Sequence, residues 1–223
     1  MAEKRAPFRG ALFDMDGLLL DSERACVVAF NETVQSFALP SMPEIALACI
    51  GLRSDGVRTK VSAALAGRVK YDAFYSAWGQ RISAAFAQGI PVKPDVFTLL
   101  DALEYQGTPC AVATSTRTAI AEAHLQKAGL RGYFKAVIGG EQVANGKPAP
   151  DIYLMAAKAL GLLPQACVAF EDSDPGTLAA IASGATVVQV PDVKPPSAAL
   201  LANGHLIAST VFTGARHVGL IAK

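Results

Sequence analysis

The sequence predicts an α/β protein: a Rossmann-like parallel sheet flanked by helices, with an α-helical unit inserted after the first strand. Three observations carry that expectation. Short apolar runs, among them Ala11-Leu12-Phe13, Cys110-Ala111-Val112-Ala113 and Cys167-Val168-Ala169-Phe170, alternate with helical segments in the later part of the chain. Two of these runs end abruptly in acids, Asp14-Met15-Asp16-Gly17 and Glu171-Asp172-Ser173. Residues 22–90 keep a helical pattern with no β-rich run. At 223 residues, 52% of them hydrophobic, the chain can bury one such core and an insert.

Taken in order, Phe8 to Phe13 reads as the first strand. Asp21 or Ser22 can cap a helix to about Phe37, with Val27, Phe30, Val34 and Phe37 on its apolar face. Leu39-Pro40-Ser41-Met42-Pro43 breaks it; Ser54 or Asp55 opens a helix to Ala66, and Asp72 another to Ala87. Pro91 and Pro94 mark the return, followed by a helix over 95–105, a strand over 109–113 and a helix over 117–128. A strand at 136–138 leads through a loop at 139–149 to a helix over 151–160, closed by Gly161. A strand over 167–170, a helix over 175–183 and strands over 186–190 and 205–208 complete the reading. The expected domains are an α/β core of 1–21 and 91–223 and a helical cap of 22–90. An insert at that point covers the strand ends and is placed to act as a lid.

Composition narrows the function. A net charge of +1 gives no general field for nucleic acid or an anionic membrane, so attraction to phosphate must be local. Four scattered cysteines with no Cys-x-x-Cys pair read as buried free thiols. Three histidines make a His/Cys zinc site improbable. The opening Met1 to Pro7 lacks the apolar core of a signal peptide, and no stretch is long enough to span a bilayer. A cytoplasmic protein, a monomer or weak dimer, is the expectation.

The chemistry is expected at the strand ends, where open α/β sheets bind ligands. Asp14 and Asp16, two apart, repel unless a proton or a cation lies between them. Such a pair serves either a hard ion such as Mg²⁺ or nucleophile and acid–base work. An Asp-rich loop is the plain alternative. Thr114-Ser115-Thr116 ends the second strand in hydroxyls just before a helix, as an anion site or simply as a helix cap. Lys147 sits in the stiff loop Gly146-Lys147-Pro148-Ala149-Pro150-Asp151. Glu171-Asp172 either starts a helix or joins the first acid pair in a cluster that requires a cation.

Asp14-Met15-Asp16-Gly17, Thr114, Lys147 in Gly-Lys-Pro-x-Pro-Asp, and Glu171-Asp172-Ser173 with Gly176 resemble, in order, the four motifs of the haloacid dehalogenase superfamily. The insert and Asp-Gly-Leu-Leu-Leu-Asp-Ser-Glu are similar to the helical cap and first motif of its β-phosphoglucomutase-like phosphatases. The resemblance implies a phosphatase for a small phosphorylated metabolite: a sugar phosphate, a nucleoside phosphate or phosphoglycolate. It implies Asp14 as nucleophile forming an aspartyl-phosphate, Asp16 as acid and base, and Thr114, the Ser115 N–H and Lys147 around the phosphoryl group. It also implies Mg²⁺ on Asp14, the Asp16 carbonyl and Asp172, with Glu171 direct or through water. Arg53, in the cap loop Ile50 to Asp55, is either a contact for a second anionic group or a solvated side chain before a helix. A phosphomutase and a non-catalytic phosphate binder are the alternatives. Cys26 stands near the place where β-phosphoglucomutases carry a histidine, which weakens the first; the retained motif acids weaken the second.

Overall fold

The computed structural model describes residues 8–222; Met1 to Pro7, on which the signal-peptide expectation rests, and Lys223 lie outside them. Six parallel strands form one sheet: β1 (Gly10–Phe13), β2 (Cys110–Ala113), β3 (Phe134–Ile138), β4 (Cys167–Glu171), β5 (Thr186–Gln189) and β6 (Leu206–Ile207). Their spatial order is β3-β2-β1-β4-β5-β6. The order reverses at β1, so the chain departs to either side of it and leaves a crevice at its carboxyl end.

Alternation along the strands divides the core in two. Ala11 and Phe13 of β1 join Val168 and Phe170 of β4 on one face, where Phe13 stacks on Phe170 at 4.9 Å. Helices α5 (Val96–Tyr105), α6 (Thr118–Lys127) and α10 (Val211–Val218) cover that face. Leu12, Ala111, Ala113 and Ala169 face the other way, under α7 (Asp151–Leu160) and α8 (Asp174–Ser183). The small side chains there let those helices approach closely, and α7 carries the large buried Tyr153 into the layer.

The insert has its own apolar cluster. Helices α1 (Glu23–Ser36), α2 (Pro43–Cys49), α3 (Ser54–Leu65) and α4 (Tyr71–Ala85) bury Phe30, Val34, Val61, Leu65, Phe74 and Trp78 together. Phe30 meets Phe74 and Trp78 edge-on at 5.4 and 5.1 Å. Two connections join this unit to the sheet, and they run side by side. Asp21 N donates to Pro91 O at 2.8 Å, and Lys93 N to Leu19 O at 2.9 Å.

Several elements differ from the sequence reading. The strand expected over 205–208 shortens to Leu206–Ile207, an edge strand with two register pairs to β5. Helices α9 (Ala198–Leu201) and α10 were not foreseen, although Thr210 and Thr213 form a capping box at the start of α10 and Gly219 closes it. Ser22 is the N-cap residue of α1, but its hydroxyl does not cap the helix. The cysteines are free, with Cys49, Cys110 and Cys167 buried and Cys26 half-buried. Among the described residues no helix is long and apolar enough to cross a membrane.

Candidate active site

The register between β1 and β4 pairs Phe13 with Phe170, so the residues that follow each, Asp14 and Glu171, emerge side by side. Asp14, Glu171 and Asp172 are all buried and offer carboxylate oxygens within 4.8 Å of one another. Among the described residues one cation enters this cluster: Lys147 Nζ, buried, lies 2.5 Å from Asp14 Oδ1 and also binds Glu171 Oε1. Burial, reinforced by Glu171 and Asp16 and only partly countered by Lys147, pushes the Asp14 carboxyl up to about 8. Asp172 is raised well above the ordinary carboxylate range by burial and by Glu171, Asp14 and Glu23. Desolvation works against the charge on Lys147, but Asp14 and Glu171 outweigh it and raise its pKa.

The two β4 acids are held differently. Glu171 Oε1 accepts from Lys147 and from Tyr153 OH at 2.8 Å; Oε2 accepts from the N–H groups of Asp172 and Ser173 and from Ser173 Oγ. With both oxygens engaged, Glu171 fixes the lysine beside Asp14. Asp172 accepts no hydrogen bond through its carboxylate from the described residues. Gly17, at φ +84°, makes room for it: a Cβ there would lie 2.4 Å from Asp172 Oδ2. The donor set is therefore oxygen-rich, under-neutralised and shaped to admit a small cation. It fits Mg²⁺, with Asp14 and Asp172 as the available carboxylates.

Asp16 faces away from this trio. Its Oδ1 accepts from Ser22 Oγ at 2.9 Å; its Oδ2 accepts from Thr116 Oγ1 at 2.7 Å and, more weakly, from Thr114 Oγ1 at 3.4 Å. Its backbone carbonyl receives no hydrogen bond from the described residues, which leaves the ligand implied by the resemblance free. Thr114 is buried at the end of β2. The Ser115 N–H has no acceptor among the described residues, and its hydroxyl donates to Gly51 O of the insert at 3.2 Å. Ser115 and Thr116 do not cap the following helix. α6 starts at Thr118, whose N–H is taken by Glu141.

Arg53 reaches the core but does not point its charge at the acids. Its Nη1 donates to the carbonyls of Ala144 at 3.3 Å and Val143 at 3.4 Å. The loop it belongs to thus touches three strand-end loops, through Ser115, Val143–Ala144 and Ser173. A cleft of about 270 Å³ between insert and core opens beside Asp172, lined by Ile50, Leu52, Pro175 and Val193 with Lys60 and Lys194.

The sequence reading gave Glu23 and Tyr153 no part in the site, offered Ser22 only as a helix cap, and named Thr116 only within the hydroxyl run after the second strand. Glu23 is buried beside Gly17 and raised to about 8 by burial and the neighbouring Asp16 and Asp14. Thr116 had a signal, since it stands two residues beyond Thr114 at a strand end. Ser22 was expected to cap α1 and instead gives its hydroxyl to Asp16, and Glu23 lay in the quoted Asp-Ser-Glu with no assigned role. Tyr153 reads as an ordinary helix core residue, and nothing local marks it.

The family model described as haloacid dehalogenase-like hydrolase matches residues 11–190. Hexitol phosphatase A of Escherichia coli is 36% identical over 183 residues, 82% of this chain and 82% of that protein. Fructose-1-phosphate phosphatase of the same organism is 32% identical over 82% of this chain and 96% of its own length. The crystal structure of a hydrolase of the same family from Deinococcus radiodurans, with bound phosphate and sodium, superimposes with a TM-score of 0.78. It is 31% identical and covers 97% of this chain and 99% of that one.

Proposed function

The chain belongs to the haloacid dehalogenase-like hydrolase family, and from that premise we propose that it is a Mg²⁺-dependent phosphatase for a small sugar or polyol phosphate. The observation that carries the mechanism is the division between the two β1 acids. Asp14 is buried against Lys147, while Asp16 is turned to a set of hydroxyls. Two carboxyls in such different surroundings can take different parts in one reaction.

In this reading Asp14 attacks phosphorus in line, through the carboxylate that Lys147 orients. The bond from phosphorus to the leaving oxygen breaks, its electron pair stays on that oxygen, and Asp16 supplies the proton. Asp16, now a carboxylate, takes a proton from the water that attacks the aspartyl-phosphate and frees Asp14 and inorganic phosphate. Thr114 and the Ser115 N–H hold phosphoryl oxygens, and Lys147 balances charge on the transferring group. Asp14, Asp172 and the Asp16 carbonyl would hold Mg²⁺, with Glu171 acting through Lys147 or a bridging water. When bound there, Mg²⁺ neutralises the acids and polarises the phosphoryl group. The unit of residues 22–90 is the cap, and Arg53 secures its loop over the site. A net charge of +1 offers nucleic acid no general field, which favours a small metabolite as the substrate.

Phosphate release from a panel of hexose, hexitol and nucleoside phosphates tests the reading directly. Turnover should need Mg²⁺ and vanish in Asp14→Asn at unchanged fold. Undiminished release in EDTA, or by that variant, would sink it. Cys26 favours hydrolysis over isomerisation, because its half-buried thiol, raised by burial and by Glu23, supplies no base where a mutase has histidine. β-Glucose 1-phosphate with a bisphosphate primer should therefore yield phosphate and little glucose 6-phosphate.

A further inference from the structure

Asp192, in the loop after β5, has a side chain only 1% exposed yet lies outside the acid trio. Lys93 Nζ is 2.7 Å and Arg24 Nη2 3.0 Å from the same oxygen, Oδ1. Asp21 completes the group, 3.6 Å from Arg24 Nε and 3.7 Å from Lys93 Nζ. The four charges come from four places: the first connection, the first turn of α1, the second connection and the core. A buried carboxylate holds its charge only with partners, so Asp192 binds both cations to the core.

What this anchors lies immediately before Arg24. Ser22 spends its hydroxyl on Asp16 and leaves the N–H groups of α1 without a side-chain cap. The first turn is therefore located by Arg24 on Asp192 and by Ser22 on Asp16, at neighbouring points of one rigid segment. We propose that Asp192 is a positioning residue for Asp16. Through Arg24, with Lys93 beside it, Asp192 pins the start of α1 so that Ser22 holds Asp16 in line to protonate the leaving oxygen. The proposal rests on the reading of Asp16 as proton donor.

Leaving groups separate this role from general support. A sugar or hexitol phosphate departs as an alkoxide and needs the proton, whereas p-nitrophenyl phosphate departs as a stabilised phenolate and does not. Arg24→Gln, at an exposed side chain, and Asp192→Asn should each lower kcat/KM for the best hexose or hexitol phosphate about tenfold more than for p-nitrophenyl phosphate. The double variant should discriminate between the two leaving groups no more than Asp192→Asn alone, since Arg24 reaches Asp16 through its contact with Asp192. Arg24→Lys should recover part of the loss. Asp16→Asn is run beside them. If it discriminates between the two leaving groups while Arg24→Gln does not, the positioning role is overturned and the phosphatase reading stands. Equal losses on both substrates overturn it in the same way. If Asp16→Asn does not discriminate either, the proton-donor reading falls and the positioning role with it.

Discussion

A methyl group on residue 176 would sit 1.8 Å from Glu171 Oε1, and that oxygen has nowhere to go. The other oxygen of the same carboxylate is locked by the Asp172 and Ser173 N–H groups, and Tyr153 and Lys147 close the near side. Gly176→Ala should therefore cost about 1–3 kcal/mol of stability, the usual range for overpacking a tight site. It should also lower kcat, because Glu171 can move only by releasing Lys147 from its place beside Asp14. Thermal melts and turnover of the purified variant check both parts. A variant with the parent Tm and kcat would mean that Glu171 relaxes freely and does not set the lysine.

At the scale of elements, the loop between α2 and α3 is the one that meets the strand ends. Gly51 O accepts from Ser115, and Arg53 spans to the 143–144 carbonyls that precede Lys147. These long bonds from a charged donor are worth about 1–1.5 kcal/mol together, or about tenfold in rate. Arg53→Ala should thus lower kcat/KM about tenfold for a metabolite that fills the space under the cap. The loss should be smaller for an aryl phosphate, which depends less on closure. Steady-state kinetics on both substrates decide it. An equal loss on the two would assign Arg53 to phosphoryl chemistry instead of to the cap.

Charge balance acts on the whole molecule. Without metal, burial raises Asp14 and Glu23 to about 8 and Asp172 well above its usual range. The folded state then holds more protons than the unfolded chain between the ordinary carboxylate range and about pH 8, so stability falls as pH rises through that window. Lys147, raised from an already high value, keeps its charge throughout and does not change the sign. A divalent cation takes the place of those protons, so its stabilisation should grow with pH. In EDTA the Tm should drop between pH 5.5 and 8, and Mg²⁺ should restore more of it at pH 8. A metal-free Tm that is flat over this range, or an equal Mg²⁺ effect at both pH values, would argue against the acid cluster as the ion site.

The amino-acid order alone determined that two apolar strands end in acids at Asp14-Met15-Asp16 and Glu171-Asp172, that a hydroxyl run follows a third strand, and that a helical insert separates the first strand from the rest. Those features are local, because strand periodicity, glycine and proline placement and charge are written within a few residues of one another. Only the tertiary structure decided who meets whom. Thr116 reaches Asp16 from 100 positions away, Tyr153 meets Glu171 across 18, and Arg24 meets Asp192 across 168. Periodicity says which face a side chain takes, but not which distant element covers that face. The reversal of strand order at β1, the register of β4 beside it and the folding of the insert back over the crevice supply that answer. None of the three is encoded within reach of a local window.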